Sequence, residues 1–399
     1  MTTPAATERL LTPAFGALFA ASLAFFIAVS LILPVATPFA TTRLGTDAAG
    51  AGLAIGAYAL AALAMRPLVG WASDRFGRRP LVMLGSVMAI GALAAHLLVA
   101  TLPAFIAVRS VLGIADAFFF VAVLAAGSDL APEGRRGEAI NLVSLSLYLG
   151  IAIGPPVGEA VQGLGGFEAV WALAAVVAAV AAGLSVLVPE SAPSVLQPEA
   201  ERRRGRFIHP AAVFPGFLIL TGAAGMSVFL AFLPLYAKDL GMAGAGVPFA
   251  IYAVVVVVLR IRFAKLPDTM GAGRLSSAAL AVGAIGLAIF GLVATPTGIL
   301  IGTVVFALGV TFMFPALIAL AVSRVDETER GSAVGTASAF FDMAFGLGPA
   351  VFGVLATGIG FGGTFLVSAA IAAFGAALLL ARRGAVEAPM TASASGGGS

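Results

Sequence analysis

Apolar residues in this chain do not alternate with polar ones but run in long blocks interrupted by short polar stretches. Scanned with a window of about 19 residues, the blocks fall at roughly 13–38, 48–71, 80–99, 103–127, 138–162 and 167–188. Six more lie near 211–236, 246–266, 275–295, 298–322, 332–356 and 361–381. Each can supply the ~20 apolar residues that a membrane-crossing helix requires. The pattern therefore predicts an all-α membrane protein with twelve transmembrane helices. The connections are short except for 189–210, which contains Pro189, Pro193 and Pro198 and the cluster Arg202, Arg203, Arg204 and Arg206. This divides the chain into an N-terminal six-helix bundle (1–188), a cytoplasmic linker (189–210), a C-terminal six-helix bundle (211–383) and a disordered tail (384–399). The tail ends in Gly396, Gly397, Gly398 and Ser399, which resemble an appended linker.

Composition supports this division. Of 399 residues, 60% are hydrophobic and 10% charged, against about a quarter charged in soluble domains. There is no cysteine, and the two histidines, His96 and His209, are far apart. Disulfides and thiolate sites are thereby excluded, and no metal centre is expected. No nucleophile–base pair or phosphate loop stands out, so an enzyme is not expected. Nor is a cofactor, the proton gradient serving as the energy source.

The net charge of +3 raises the question of nucleic acid, but the positions of the 22 basic residues answer it differently. Arg66, Arg109 and Arg260 fall inside spans, and only Arg43 and Lys238 fall in odd-numbered loops. The others lie in the amino terminus, the even-numbered loops and the carboxyl terminus. Positive-inside bias then puts both termini in the cytoplasm, and the arginine cluster reads as a topology signal. The expected surroundings are membrane lipid and a small-molecule substrate, with no nucleic acid, for a chain acting as a monomer. The first block is too long for a signal-peptide core and has no small-residue cleavage site, so it is expected to stay in the mature chain. With no organelle signal, a bacterial inner (plasma) membrane is expected.

Shifting the sequence by 194 residues places Arg66 on Arg260, Asp74 on Asp268 and Gly77 on Gly271. It also places Arg136 on Arg330, Gly137 on Gly331, Gly154 on Gly348 and Pro155 on Pro349. One shift that aligns charges, glycines and prolines in three segments indicates a duplicated six-helix unit. An even number of spans per unit keeps both copies in the same orientation, as pseudo-two-fold parallel repeats. The copies differ most after span 2, where Gly70 becomes Ala264 and Arg75 becomes Thr269, so the first copy is expected to carry the more specialised gate.

Between spans 2 and 3 stands Gly70-Trp-Ala-Ser-Asp74-Arg75-Phe-Gly77-Arg78-Arg79-Pro80. Glycine suits a tight turn, and a carboxylate among arginines can hold one conformation through ion pairs until they break. This segment resembles the loop 2–3 signature of the major facilitator superfamily. The resemblance covers residues 10–383 and implies that Asp74 stabilises the outward-facing state by contacting the start of span 11 near Gly331 and Ser332. In span 4, Arg109-Ser-Val-Leu-Gly113 resembles the family's arginine signature, associated with proton coupling, although Leu112 stands where glutamine is usual. Arg109 could alternatively snorkel to the outer surface.

Asp116 follows Arg109 by two helical turns on nearly the same face, and Asp342 lies near the middle of span 11. These are the midplane carboxylates, one per half. An intramembrane carboxylate is a functional-site candidate by default. Burial favours the neutral form and a nearby arginine the charged one, so switching between such environments loads and releases a proton. A helix-to-helix hydrogen bond is the structural alternative.

Span 5 carries Gly150, Gly154, Pro155, Pro156 and Gly158, with Glu159 where a second glycine is usual. This resembles the packing signature of the family's proton antiporters, a kinked helix that packs against the other half and limits leak, and Gly348 and Pro349 repeat its core. Packing geometry alone could explain both copies, and Glu159 adds a titratable group near the outer mouth. Charged loops 4–5 and 10–11 suit latches between bundles or simple solvated charge. His96 is expected to be a polar interface residue.

The chain has one asparagine and two glutamines, too few amides to replace the hydration of a sugar. Phenylalanine is abundant at 29, and Phe26, Phe119, Phe232 and Phe341 are expected among the cavity aromatics. An apolar aromatic pocket with one or two charges suits amphiphilic organic compounds. The expected function is proton-coupled efflux of such compounds by rocker-switch alternating access. Uptake or facilitated diffusion of a small metabolite, or a non-transporting sensor of the same fold, are the alternatives.

Overall fold

The computed structural model describes residues 10, 12–132, 135–191, 209–263, 266, 270–323, 325 and 330–382. The side chains of Asp74, Arg136, Gly137, Asn141, Arg330 and Gly331 fall outside that description. So do Asp268, the arginine cluster of the linker and the tail from 383 onward, together with the expectations placed on them.

Among the described residues every regular element is a helix, and nine helices are long and apolar enough to cross a membrane. Two of them, Arg136–Ser185 and Arg330–Ala381, run for 50 and 52 residues. At ~1.5 Å per residue each is about 75 Å long, more than twice a hydrocarbon core. Both break partway. Gly166 at φ +73° and Gly360 at φ +71° take the left-handed conformation that glycine alone adopts at little cost. Each long helix is therefore two spans folded back without an intervening loop. Gly246–Arg262, with 17 residues, is one further span, which brings the total to twelve.

The spans are 1 (Pro13–Thr42), 2 (Ala48–Phe76), 3 (Arg78–Ala95), 4 (Leu102–Asp129), 5 (136–164), 6 (167–185) and 7 (Pro210–Asp239). Then come 8 (Gly246–Arg262), 9 (Ala272–Leu292), 10 (Pro296–Val322), 11 (330–359) and 12 (361–381). Span 1 is interrupted at Ile32, where Pro34 has no N–H to offer the carbonyl one turn back.

The duplication is visible in the backbone. Gly77 and Gly271, 194 residues apart, take φ +89° and +76° between consecutive spans. The kink glycines Gly166 and Gly360 have the same separation. Thr101 and Thr295 both cap the span that follows, accepting from Ala104 N and Gly298 N at 3.4 and 3.0 Å.

Each half has its own apolar core, one around Phe25, Phe105, Phe119 and Trp171, the other around Phe229, Phe290, Phe306 and Phe365. The halves meet where span 2 lies against span 11 and span 5 against span 8. In the first contact, backbone approaches backbone. A side chain at Gly52 would strike the Pro349 carbonyl, one at Gly56 the Gly346 carbonyl, and one at Gly353 that of Ala48. These contacts lie toward the end of the molecule that carries residues 43–47 and 240–245.

Candidate functional site

Midway along the span 2–span 11 contact, the Arg66 guanidinium forms an ion pair with the Asp342 carboxylate. One partner belongs to each half, and neither is fully covered: the side chains are 31% and 13% exposed. Arg66 also lies 5.8 Å from the centroid of the Phe120 ring, within cation–π range. Asp342 is flanked by Phe341, whose ring stands 4.8 Å from Phe345 and 4.9 Å from Phe314.

Span 4 brings a second group close by. Arg109, Gly113 and Asp116 are spaced four and three residues apart and so share one helix face. Span 2 crosses that face at Tyr58. A side chain at Gly113 would lie 2.8 Å from the Tyr58 carbonyl carbon and 3.0 Å from its Cα, so glycine is what allows the crossing. Tyr58 then sits between the two charges, with Arg109 5.1 Å from its ring centroid and its hydroxyl facing Asp116. Asp116 is close enough to feel both Arg66 and Asp342. Arg109 is buried, with Nε and Nη1 lacking hydrogen-bond partners among the described residues. It does not snorkel outward.

Glu159 does not stand free at a mouth. Its carboxylate accepts from Ala245 N at 2.6 Å and from Gly246 N, at the first turn of span 8. A span 5 side chain thus caps a helix of the other half, where a carboxylate is electrostatically favoured. The adjacent glycines behave otherwise than the resemblance implied. Side chains at Gly150, Gly154 and Gly158 would run into Phe26, Ser30 and Leu31 of span 1, and one at Gly348 into Ser227 of span 7. The motif packs each half internally, and it is Glu159 that reaches across. Pro349 does lie on the interface between halves, through its carbonyl.

In the loop 2–3 motif, Gly70 lies within the span 2 helix with nothing within 4 Å of its missing side chain. Gly77 alone makes the turn. Arg78 is buried and bonds Asp129 at 3.1 Å and Ser73 at 3.1 Å, and its backbone N–H donates to Glu190 at 2.9 Å. Arg79 donates to the Val186 carbonyl at 2.8 Å, and exposed Arg75 lies over the Trp71 ring. These partners all belong to the N-terminal half or the start of the linker. The expected contact of Asp74 with Gly331 lies outside the described side chains.

Three of the four expected cavity aromatics are core instead. Phe119 stacks on Phe25 at 3.8 Å with no exposure, Phe26 stands edge-on to both, and Phe232 is fully buried beside Phe361. Only Phe341 is half-buried. His96 is buried against Phe105 and Trp171, its Nδ1 paired with the Ala92 carbonyl at 2.8 Å, as a polar interface residue should be.

The sequence reading passed over Arg66, Tyr58, Tyr148 and Arg260 as site residues. The repeat held the signal, since Arg66 and Arg260 are equivalent intramembrane charges.

Two parallel six-helix bundles that meet around intramembrane charges define a carrier-type membrane protein. The family model for the Major Facilitator Superfamily matches residues 18–326 and 268–397. The chain belongs to that superfamily. An MFS-type transporter of Salmonella typhimurium strain LT2 is 28% identical over 338 residues, covering 82% of this chain and 86% of the relative. One from Burkholderia mallei strain SAVP1 is 27% identical over 362 residues, covering 88% of each. The fold matches a bacterial homologue of the human lysosomal transporter Spinster, solved inward-facing and unoccupied, with a TM-score of 0.78 and 15% identity over 95% of this chain and 98% of that one. It also matches a D-xylose–proton symporter, with a TM-score of 0.78 and 16% identity over 92% and 96%. The protein is a multi-pass membrane transporter of this superfamily.

Proposed function

We propose that the protein exchanges protons for amphiphilic organic compounds and works as an exporter. The observation that carries this reading is the Arg66–Asp342 pair, which ties the halves together at mid-depth. A proton on Asp342 removes one charge of the pair, and a charged substrate bound nearby competes for whichever member carries the opposite charge. Either ligand alone loosens the tie, whereas the empty, deprotonated carrier stays tied. A carrier that moves with either ligand but not with neither is an exchanger. A symporter requires the reverse, with movement when both are bound or both absent. Asp116, within electrostatic reach of the pair, is the second group able to take the proton.

With both termini in the cytoplasm, as the basic residues favour, the end where Gly52, Gly56 and Gly353 bring the halves together is the outer one, which favours an inward-open carrier. In that state the substrate enters from the cytoplasm or inner leaflet. The half-buried Phe341 and Phe345 beside Asp342 suit an apolar body carrying a polar group. The neighbouring symporter structures share the fold and do not bear on direction.

The test uses everted vesicles, acidified inside and containing the protein, with a fluorescent pH probe. Addition of substrate is expected to release protons from the lumen. Asp342→Asn, which resembles the protonated state permanently, is expected to keep substrate exchange but lose its coupling to protons. Protons moving in the same direction as the compound would establish symport instead. Unchanged coupling in both Asp342→Asn and Asp116→Asn would refute the assignment.

A further inference from the structure

The second copy of the repeat contains the same arginine facing a different partner. Arg260 of span 8 is the equivalent of Arg66 of span 2, and Tyr148 of span 5 is the equivalent of Asp342 of span 11, both by the shift of 194 residues. The contacts repeat as well. Arg66 meets Asp342 across one interface between halves, and Arg260 lies 3.8 Å from the centroid of the Tyr148 ring across the other. Tyr252, the equivalent of Tyr58, stands close to both Arg260 and Tyr148. Two matching sites were thus laid down by the duplication, and only the first has a carboxylate from the partner span.

Arg260 is left short of partners. Its Nη2 donates to the Thr311 carbonyl at 3.3 Å, and its Nε has no partner among the described residues. No carboxylate among the described residues pairs with it. The side chain is half-buried and so remains reachable, in contrast to Arg109, which is sealed under Tyr58. Charge bookkeeping points the same way. The inner reaches of the spans hold Arg66, Arg109 and Arg260 against Asp116 and Asp342, while Glu159 is engaged by the start of span 8. Arg260 is 14 residues from Gly246, about 21 Å along the helix, in the last turn of span 8. The end of the helix favours a cation there but supplies no fixed anion, so the guanidinium keeps donors for one.

We propose that Arg260 and Tyr148 form the anion subsite of the transported compound, in which an aromatic carboxylate supplies the negative charge that Asp342 supplies to Arg66. A planar carboxylate can accept two N–H groups of the guanidinium, and its ring can pack beside Tyr148. One arginine matches one negative charge, so a monoanion fits and a dianion does not. The subsite deepens the export reading and rests on it.

The test uses three probes with one ring system: 2-naphthoate, 2-naphthamide and 2-naphthylmethylammonium. Binding of tritiated 2-naphthoate to the purified full-length protein in lipid nanodiscs is measured with the other two as competitors. Saturable naphthoate binding, poorly displaced by the amide or the ammonium, is expected. Arg260→Gln should weaken it by about tenfold to a hundredfold, the effect of losing a charge-assisted hydrogen bond. Arg260→Lys should restore part of it.

The decisive variant is Tyr148→Asp, which places in the second copy the carboxylate that the first copy already has. It should pair with Arg260 and abolish naphthoate binding in a monodisperse protein, while Tyr148→Phe keeps binding. Binding that survives Tyr148→Asp and Arg260→Gln, or displacement by the amide and ammonium as effective as by naphthoate itself, would overturn the proposal. Absence of any naphthoate binding to the parent protein would overturn it equally. Proton flux with the same probes separates this from the export reading. Flux driven by the ammonium alone sinks the anion subsite and leaves the exporter. Naphthoate binding that depends on Arg260 but is accompanied by no flux from any probe leaves the subsite and sinks the exporter.

Discussion

Glu159 allows the closed end of the carrier to be probed with a change of one atom type. Its carboxylate accepts two backbone N–H groups from residues 245 and 246, across the boundary between halves. In Glu159→Gln one side-chain oxygen still accepts, but the second position becomes an NH2 that faces donors, and the negative charge at the start of span 8 is lost. A hydrogen bond to a charged group contributes about 1.5–3 kcal/mol, and a charge at a helix terminus roughly 0.3–1. With part of the site open to solvent, a net loss of about 1–2 kcal/mol is reasonable, which shifts a two-state ratio roughly five- to thirtyfold.

The assay exploits the absence of cysteine in the chain. Spin labels introduced through Arg43→Cys and Lys238→Cys, on exposed positions at that end, report the separation of the halves by pulsed dipolar spectroscopy. The long-distance population is expected to rise by the stated factor in Glu159→Gln, with Asp342 unaltered. A distance distribution identical to that of the parent, in protein that elutes as a single species, would show that the carboxylate is not a latch.

Other expectations follow from the same geometry. Gly113→Ala, whose new methyl would meet the Tyr58 backbone, should destabilise the protein by about 1–3 kcal/mol and impair transport, while Gly70→Ala should be silent in both thermal unfolding and flux. Equal behaviour of the two would refute the close crossing of spans 2 and 4. Arg78→Ala removes bonds to Asp129 and Ser73 from a buried position and should cost about 1–3 kcal/mol, read as a lowered Tm in detergent. A Tm unchanged from the parent would show that these bonds contribute nothing.

The number of spans and their duplication were legible because each depends on local composition or on a single shift of register. The long helices 136–185 and 330–381 were read as two spans each, correctly in number, but the sequence did not reveal that a glycine reversal replaces the loop. Pairings across the molecule were harder to see. Arg66 and Asp342 are 276 residues apart, and nothing local marks one as the partner of the other. The aromatics show another limit. Spans 1 and 7, and span 4 away from its Arg109–Asp116 face, are apolar all round, so periodicity does not separate a core face from a cavity face. Phe119 and Phe232 were consequently placed on a cavity wall when they are packed inside. The glycines of span 5 were read through resemblance as a contact between halves, whereas Phe26, Ser30 and Leu31 show which neighbour they accommodate.

The contact between spans 2 and 11 is made where Gly52, Gly56, Gly346 and Gly353 bring main chain against main chain. Such a surface has few interlocking side chains, Leu60 against Gly346 being one, and its glycines have no rotamers to freeze when it closes or to recover when it parts. Two smooth rods can roll or slide over one another through many cycles without repacking side chains at each pass. In the exchange cycle proposed above, the interface would work as a bearing. In that cycle the ion pair at mid-depth and the capped start of span 8, in the neighbouring contact, would supply the stops, with friction between the halves kept low by the residue with the least to catch on.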